Sequence, residues 1–157
     1  VRSGMREVLV LIESGNFRPA KQLLGRLGRL RRQLESKNIE AEYRAVELAY
    51  HYYTRSRRSV IKRSLKRCED AVGDASDVPV LLMIERMIFR AQTRIGDFKG
   101  AIKTFNTHLR RIKRILSNMP DEDYVFDFLN DRDELLVREE YKLIKRQKKG
   151  ARQCRAP

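Results

Sequence analysis

Apolar residues recur at steps of three and four along most of this chain, the spacing of a helix face, and the two-residue alternation of strands is absent. Leu23, Leu24, Leu27, Leu30 and Leu34 hold that spacing through residues 17–36, as do Tyr43, Val46, Ala49, Tyr50 and Tyr53 through residues 39–54. Ala101, Ile102, Phe105, Leu109, Ile112 and Leu116 repeat it through residues 98–117. The pattern predicts helices in three pairs: residues 5–14 with 17–36, 39–54 with 56–72, and 78–95 with 98–117. Gly73, Asp74, Ser76, Asp77 and Pro79 separate the second pair from the third, as turn chemistry requires.

The pairs are related to one another. Gly15-Asn16-Phe17-Arg18-Pro19-Ala20 returns 81 residues later as Gly96-Asp97-Phe98-Lys99-Gly100-Ala101, and the same offset pairs Leu24 with Phe105. Glycine can close one helix while Asn or Asp opens the next. Midway, Ser56-Arg57-Arg58-Ser59 also lies between two helical patterns, with Ile61, Leu65 and Cys68 in the places of Ala20, Leu24 and Leu27. A series of three helical hairpins over residues 1–118 is therefore expected.

After Met119-Pro120 the character changes. Nine acidic residues fall between Asp121 and Glu140, and negative charge suits the first turn of a helix. Residues 119–147 are expected to form an acidic C-terminal capping helix, open to a break near Asn130, with Tyr124, Phe128, Leu135, Leu136, Leu143 and Ile144 as packing residues. Residues 148–157, basic and without apolar periodicity, are expected to be a flexible tail.

At 157 residues the chain can bury one ordinary core and has little room for two. With 41% hydrophobic and 36% charged residues, it suits amphipathic helices with solvated outer faces and fits disorder poorly. The 35 Lys and Arg against 21 Asp and Glu leave a net charge of +14, unevenly placed. Residues 1–118 hold 26 basic and 12 acidic side chains, residues 119–157 nine of each, so the hairpins carry the whole excess. Such a charge attracts phosphate backbones, acidic peptides or anionic surfaces, although Arg-rich composition also arises from genomic bias or growth at high temperature. No apolar run approaches the roughly 18 residues that span a bilayer, and Val8 to Ile12 is too short for a secretory signal core. The expectation is an intracellular, cytoplasmic protein without membrane insertion, with the nucleus open to it in a eukaryote.

Candidate chemistry is sparse. His51 and His108 have no Cys or acidic neighbour at metal-ligand spacing. Cys68 and Cys154 predict neither a disulfide framework nor a zinc site, and Cys68 is read as a packed core thiol. A Gly-rich phosphate loop and a nucleophile elbow are both absent. No catalytic residue, metal ligand or cofactor is expected. Basic clusters remain, each on or just before the second helix of a hairpin. Stacking could align Arg26, Arg29, Arg32, Arg58, Lys62, Arg63, Lys66, Arg110, Arg111 and Lys113 into one stripe that holds an acidic peptide or follows a nucleic-acid backbone. Ordinary solvated helix faces would look the same in sequence. Tyr52, beside Arg55, is the candidate stacking surface, with Tyr50 and Tyr53 expected in the core.

The Gly-Asn-Phe-x-x-Ala and Gly-Asp-Phe-x-x-Ala turns, with Leu24 and Phe105 four residues after each Ala, resemble the centre of a tetratricopeptide repeat. In that family a small residue lets two antiparallel helices approach closely and an aromatic packs at the turn. Ala20 and Ala101 take the small position here, Phe17 and Phe98 the aromatic one. The family's first-helix Trp and Leu-Gly pattern is missing, Phe89 stands where glycine is typical, and the spacing exceeds the usual period of about 34 residues. The resemblance implies an all-α solenoid of stacked antiparallel hairpins with a concave, partner-binding groove and no catalytic activity. The expected function is a non-enzymatic adaptor whose basic surface binds an acidic or amphipathic segment of a protein partner. The alternatives are a protein that binds RNA or DNA through phosphate contacts, and a structural subunit of a larger or self-associated assembly.

Overall fold

The computed structural model describes residues 1–73, 75–118 and 132–153, with side chains in the last stretch described for residues 134–146. Regular structure among these residues is entirely helical: α1 (Arg2–Glu13), α2 (Phe17–Leu30) with a 3-10 turn (Arg31–Gln33), α3 (Lys37–Tyr53), α4 (Arg58–Val72), α5 (Val78–Arg94), α6 (Phe98–Leu116) and α7 (Arg132–Gln153).

One backbone arrangement closes all three hairpins. The amides of Asn16, Ser56 and Asp97 donate to the carbonyls of Leu11, His51 and Gln92 at 2.8, 3.0 and 2.9 Å. The residue before each, Gly15, Arg55 or Gly96, has a positive φ of 76°, 52° or 79°. A left-handed residue at this point lets the chain fold back on the last carbonyls of the helix it leaves. Glycine adopts that conformation freely, whereas Arg55 carries a Cβ and adopts it at a cost of roughly 1–2 kcal/mol. The middle turn is thus equivalent in backbone to the other two while lacking their sequence signature. Helix starts are marked less uniformly. Asp97 Oδ1 accepts from the Gly100 amide at 2.9 Å, and Ser36 and Asp77 accept from Ile39 and Val80 at 3.4 Å. No side chain caps α2 or α4.

Packing follows the order of the hairpins. Helix α1 lies on α2 and α3, α3 on α4 and α5, and α5 on α6 and α7. Each second helix also touches the next first helix, α2 on α3, α4 on α5 and α6 on α7. Helices α1, α3, α5 and α7 therefore form one continuous layer, with α2, α4 and α6 laid against it. Ala20 and Ala101 are fully buried where their hairpins close. Leu24 and Phe105 are buried one turn on, and Ile61, Leu65 and Cys68 fill the equivalent places of the middle hairpin. Phe105 lies 5.7 Å from the Phe89 ring and stacks on Tyr141 of α7 at 3.8 Å. Truncating it to alanine would cost about 3–5 kcal/mol. Helix α5 has neighbours on nearly every side, so even its Glu85, Arg90 and Gln92 are buried.

Several positions depart from the sequence reading. The α-helix stops at Leu30 and tightens into a 3-10 turn, and Leu30 and Leu34, on either side of that turn, are both about half exposed. Phe17 is half-buried, but Phe98 stays 37% exposed at the start of α6. On α7 a single face is buried, with Val137 and Ile144 inward, while Leu135, Leu136 and Leu143 point outward. Tyr124 and Phe128 lie outside the described residues, as do residues 119–131 of the expected cap. Helix α7 continues through residues 148–153, which were expected in the flexible tail. Lys and Arg near a helix C-terminus favour such an extension through the helix dipole. No described helix is long and apolar enough to cross a membrane.

Candidate functional site

Charge is divided between the two layers. Helices α2, α4 and α6 carry fifteen Lys and Arg against two acids, Glu69 and Asp70, whereas α1, α3 and α5 carry seven against six. The reason is burial. First helices are covered on several sides, so their charges need partners: Arg2 lies 3.3 Å from Glu42 and 2.7 Å from Asp77, and Arg44 bonds Glu40 and Glu47 at 2.8 and 2.9 Å. Second helices keep one open side, where cations remain solvated.

The expected stripe residues fall into two groups. Arg26, Arg29, Lys62, Arg63 and Lys113 are exposed and form no ion pair among the described residues. Lys66 is exposed and pairs with Asp70 at 2.8 Å, and Arg110 donates to Asn106 O and Thr107 Oγ1 of its own helix. Others are structural. Arg58 donates to the Ile95 carbonyl at the end of α5, Arg32 to the Gly28 carbonyl at 3.3 Å, and Arg111 holds the buried Glu85 at 3.0 Å. Near the end of α6, Thr107, Arg110, Arg111 and Arg114 line an open pocket of about 230 Å³.

The stacking candidate does not stand as expected. Tyr52 packs partly against the central core and lies under the Arg94 guanidinium, 5.0 Å from its ring centre. Tyr53 is the more exposed, and its hydroxyl accepts from Arg90 Nη1 at 3.3 Å. Helix α5, packed on α3, decides this, since it covers Tyr52 and leaves Tyr53 at the margin of a groove.

That groove is a shallow one where α1, α3 and α5 meet, with a volume of about 60 Å³. Leu9, Ala45, Val46, Ala49, Met83 and Met87 supply its apolar lining, and Glu13, Tyr53, Arg86 and Arg90 its polar part. None of the ten basic stripe residues lines it. Groove and stripe therefore belong to different layers. Arg90 itself is largely buried and lies 3.5 Å from Glu140 of α7.

A buried polar cluster was missed by the sequence reading. His108 is 1% exposed; its Nδ1 lies 3.1 Å from Glu85 Oε2 and its Nε2 2.8 Å from Glu134 Oε2. Arg111 and Arg138 bind the outer oxygens of these carboxylates, both at 3.0 Å. Two carboxylates on opposite ring nitrogens need two N–H donors, so the geometry selects the imidazolium. Burial alone would lower the His108 pKa, but the hydrogen bonds and charges of Glu134 and Glu85 outweigh it and raise the value. Burial likewise pushes Glu134 up, and His108 and Arg138 overcome it to hold that carboxyl below its ordinary range. The cluster ties α5, α6 and α7 together with both ring nitrogens occupied. Its one sequence signal was His108 on the inward stripe Ala101, Phe105, His108, Ile112, where a polar group requires partners.

Among the described residues, no group of three or more His, Cys, Asp and Glu is placed to hold a metal ion. Burial pushes the Cys68 thiol up to about 12. Comparison of the chain with protein-family models, with curated proteins and with solved structures finds no match.

Proposed function

We propose that the chain is a non-enzymatic adaptor, a tetratricopeptide-like solenoid capped by α7, whose groove on α1, α3 and α5 takes an amphipathic segment of a protein partner. The observation that carries this reading is the groove's composition. Small side chains at Ala45 and Ala49 form its floor beside the buried Met87, and the half-buried Met83 has a flexible thioether that adapts to varied apolar groups. The polar margin of Glu13, Arg86 and Arg90 suits a segment with one apolar and one charged side. The equivalent turns at residues 15, 55 and 96 and the successive packing of α1, α3 and α5 support the solenoid reading.

Selection of a displayed peptide library on the full chain, with counter-selection on Met83→Asp, tests the proposal. Met83 is half-buried in the groove, so a carboxylate there spoils the apolar lining while leaving the core residues in place. Enriched peptides should be amphipathic and should bind Met83→Asp at least about tenfold more weakly, ~1.4 kcal/mol. Enriched peptides that bind both proteins equally, or no enrichment at all, would overturn the reading.

A further inference from the structure

We propose a second binding surface, on α2, α4 and α6, for the phosphodiester backbone of double-helical nucleic acid. It lies on the opposite layer from the groove and does not depend on the adaptor reading.

Three observations carry it. The first is the fifteen-to-two excess of basic side chains on these helices, with Arg26, Arg29, Lys62, Arg63 and Lys113 exposed and without ion pairs among the described residues. The second is what the face lacks. Protein interfaces are centred on apolar and aromatic anchors and are depleted in Lys, but every exposed residue of the middle helix, α4, is polar or charged, and the exposed Leu30 and Phe98 sit at the end of α2 and the start of α6. Phosphate recognition uses the composition seen here, since Lys and Arg position a duplex through its backbone. The third is local geometry: Thr107, Arg110, Arg111 and Arg114 line one open pocket near the end of α6, which gathers three guanidinium groups on this face.

The form of the nucleic acid follows from the aromatics. Single-strand binding adds base stacking on successive aromatic rings, whereas α2, α4 and α6 contain no Tyr or Trp and, of their Phe17, Phe98 and Phe105, Phe98 alone is exposed. Tyr52 and Tyr53 belong to α3 and face α5 and the groove. A rigid duplex, read by charge without base contacts, fits this surface. The 19-residue α6 spans roughly 28 Å, along which a duplex carries about sixteen phosphates, roughly half of them turned toward the protein.

The test uses the full, nuclease-treated chain and fluorescence anisotropy over a salt series. The probes are a labelled two-turn duplex as RNA and as DNA, each single strand, and polyglutamate as the acidic-protein control. Both duplexes should bind with log K falling by about five per decade of salt, the release expected for about six phosphate contacts. Arg29→Glu/Lys62→Glu/Lys113→Glu should weaken duplex binding at least about a hundredfold and flatten that dependence. The milder Arg29→Gln/Lys62→Gln/Lys113→Gln variant should weaken it less, with an unchanged far-UV spectrum, and Met83→Asp should leave it intact. Preference for RNA or for DNA identifies the source of the backbone, and either supports the proposal. Polyglutamate bound as tightly as duplex, single strands bound more tightly than duplex, or charge reversal without effect would overturn it.

Discussion

Replacing His108 with leucine probes the link between α7 and the hairpins. The substitution keeps an apolar side chain at a site that is 1% exposed but removes the cation from between Glu85 and Glu134. Breaking a buried pair costs about 3–5 kcal/mol, because a buried charge loses its partner. Here Arg111 and Arg138 remain on the outer oxygens, which places the cost near the low end, about 3 kcal/mol. For a chain of this size that lowers Tm by about 6–12 °C.

The pH dependence has a definite sign. His108 is raised by folding, so its contribution is fully present below its unfolded value of 6.5 and is lost as pH rises through the folded value. Glu134 is lowered, so its contribution is present above the unfolded carboxylate value of 4.5 and is lost as pH falls through the folded one. His51 acts oppositely to His108: burial lowers it, and its contribution disappears as pH falls below 6.5. Cys68 enters only near its unfolded value of 9.0. From about pH 6.5 to 8 the His108 cluster therefore dominates. Urea denaturation followed by far-UV circular dichroism should show the unsubstituted protein losing stability across this window. His108→Leu should be weaker at the acidic end and flat throughout, so that the curves converge. Glu134→Gln should be less costly in the His108→Leu background than alone, the signature of coupled partners. An unsubstituted protein without slope, together with a His108→Leu cost below about 1 kcal/mol, would refute the buried ion-pair reasoning.

Two glycines one helical turn apart should respond oppositely to alanine. A Cβ at Gly28 would meet Tyr43 Oη at 2.7 Å and Cζ at 3.2 Å, and the buried Tyr43 is held by Leu24 O and the Arg31 guanidinium, so Gly28→Ala should cost about 1–3 kcal/mol in urea denaturation. Gly25 faces open space, and Gly25→Ala should stabilise by about 0.5–1 kcal/mol. Arg55→Gly should relieve the left-handed strain of the middle turn and raise stability by about 0.5–1 kcal/mol, whereas Gly96→Ala should lower it by about 1–2 kcal/mol. In a Cys154→Ser background, Cys68 should stay silent to a thiol reagent until denaturant unfolds the chain, because burial keeps it protonated.

Local pattern was enough for the elements and for the series of hairpins. Helical spacing placed Ala20, Leu24, Leu27, Ala101, Phe105 and Ile112 inward, and all are buried. Glycine followed by Asn or Asp located two of the three turns, and periodicity located the third although Arg55 had taken glycine's place. The concentration of cations on second helices was equally legible, since a run without acids is a property of the segment itself. Helix periodicity is set by 3.6 residues per turn, and that rule operates over a few neighbouring residues.

Tertiary packing decided which candidates are available. Arg58 and Arg111 looked like their basic neighbours in sequence, yet they bind the Ile95 carbonyl and Glu85, 37 and 26 residues away. Tyr52 packs partly against the core while Tyr53 is the more exposed, because Arg94 of α5 lies over the Tyr52 ring and Tyr53 stands at the groove. The groove is assembled from α1, α3 and α5, so no single stretch of sequence contains it. His108 found its carboxylates on two other helices, one from α5 and one from α7. A chain's local preferences fix where it turns and which face of each helix is apolar. Which charges are then buried, paired or left to solvent depends on what a distant helix brings against them, and that is fixed only when the layers pack.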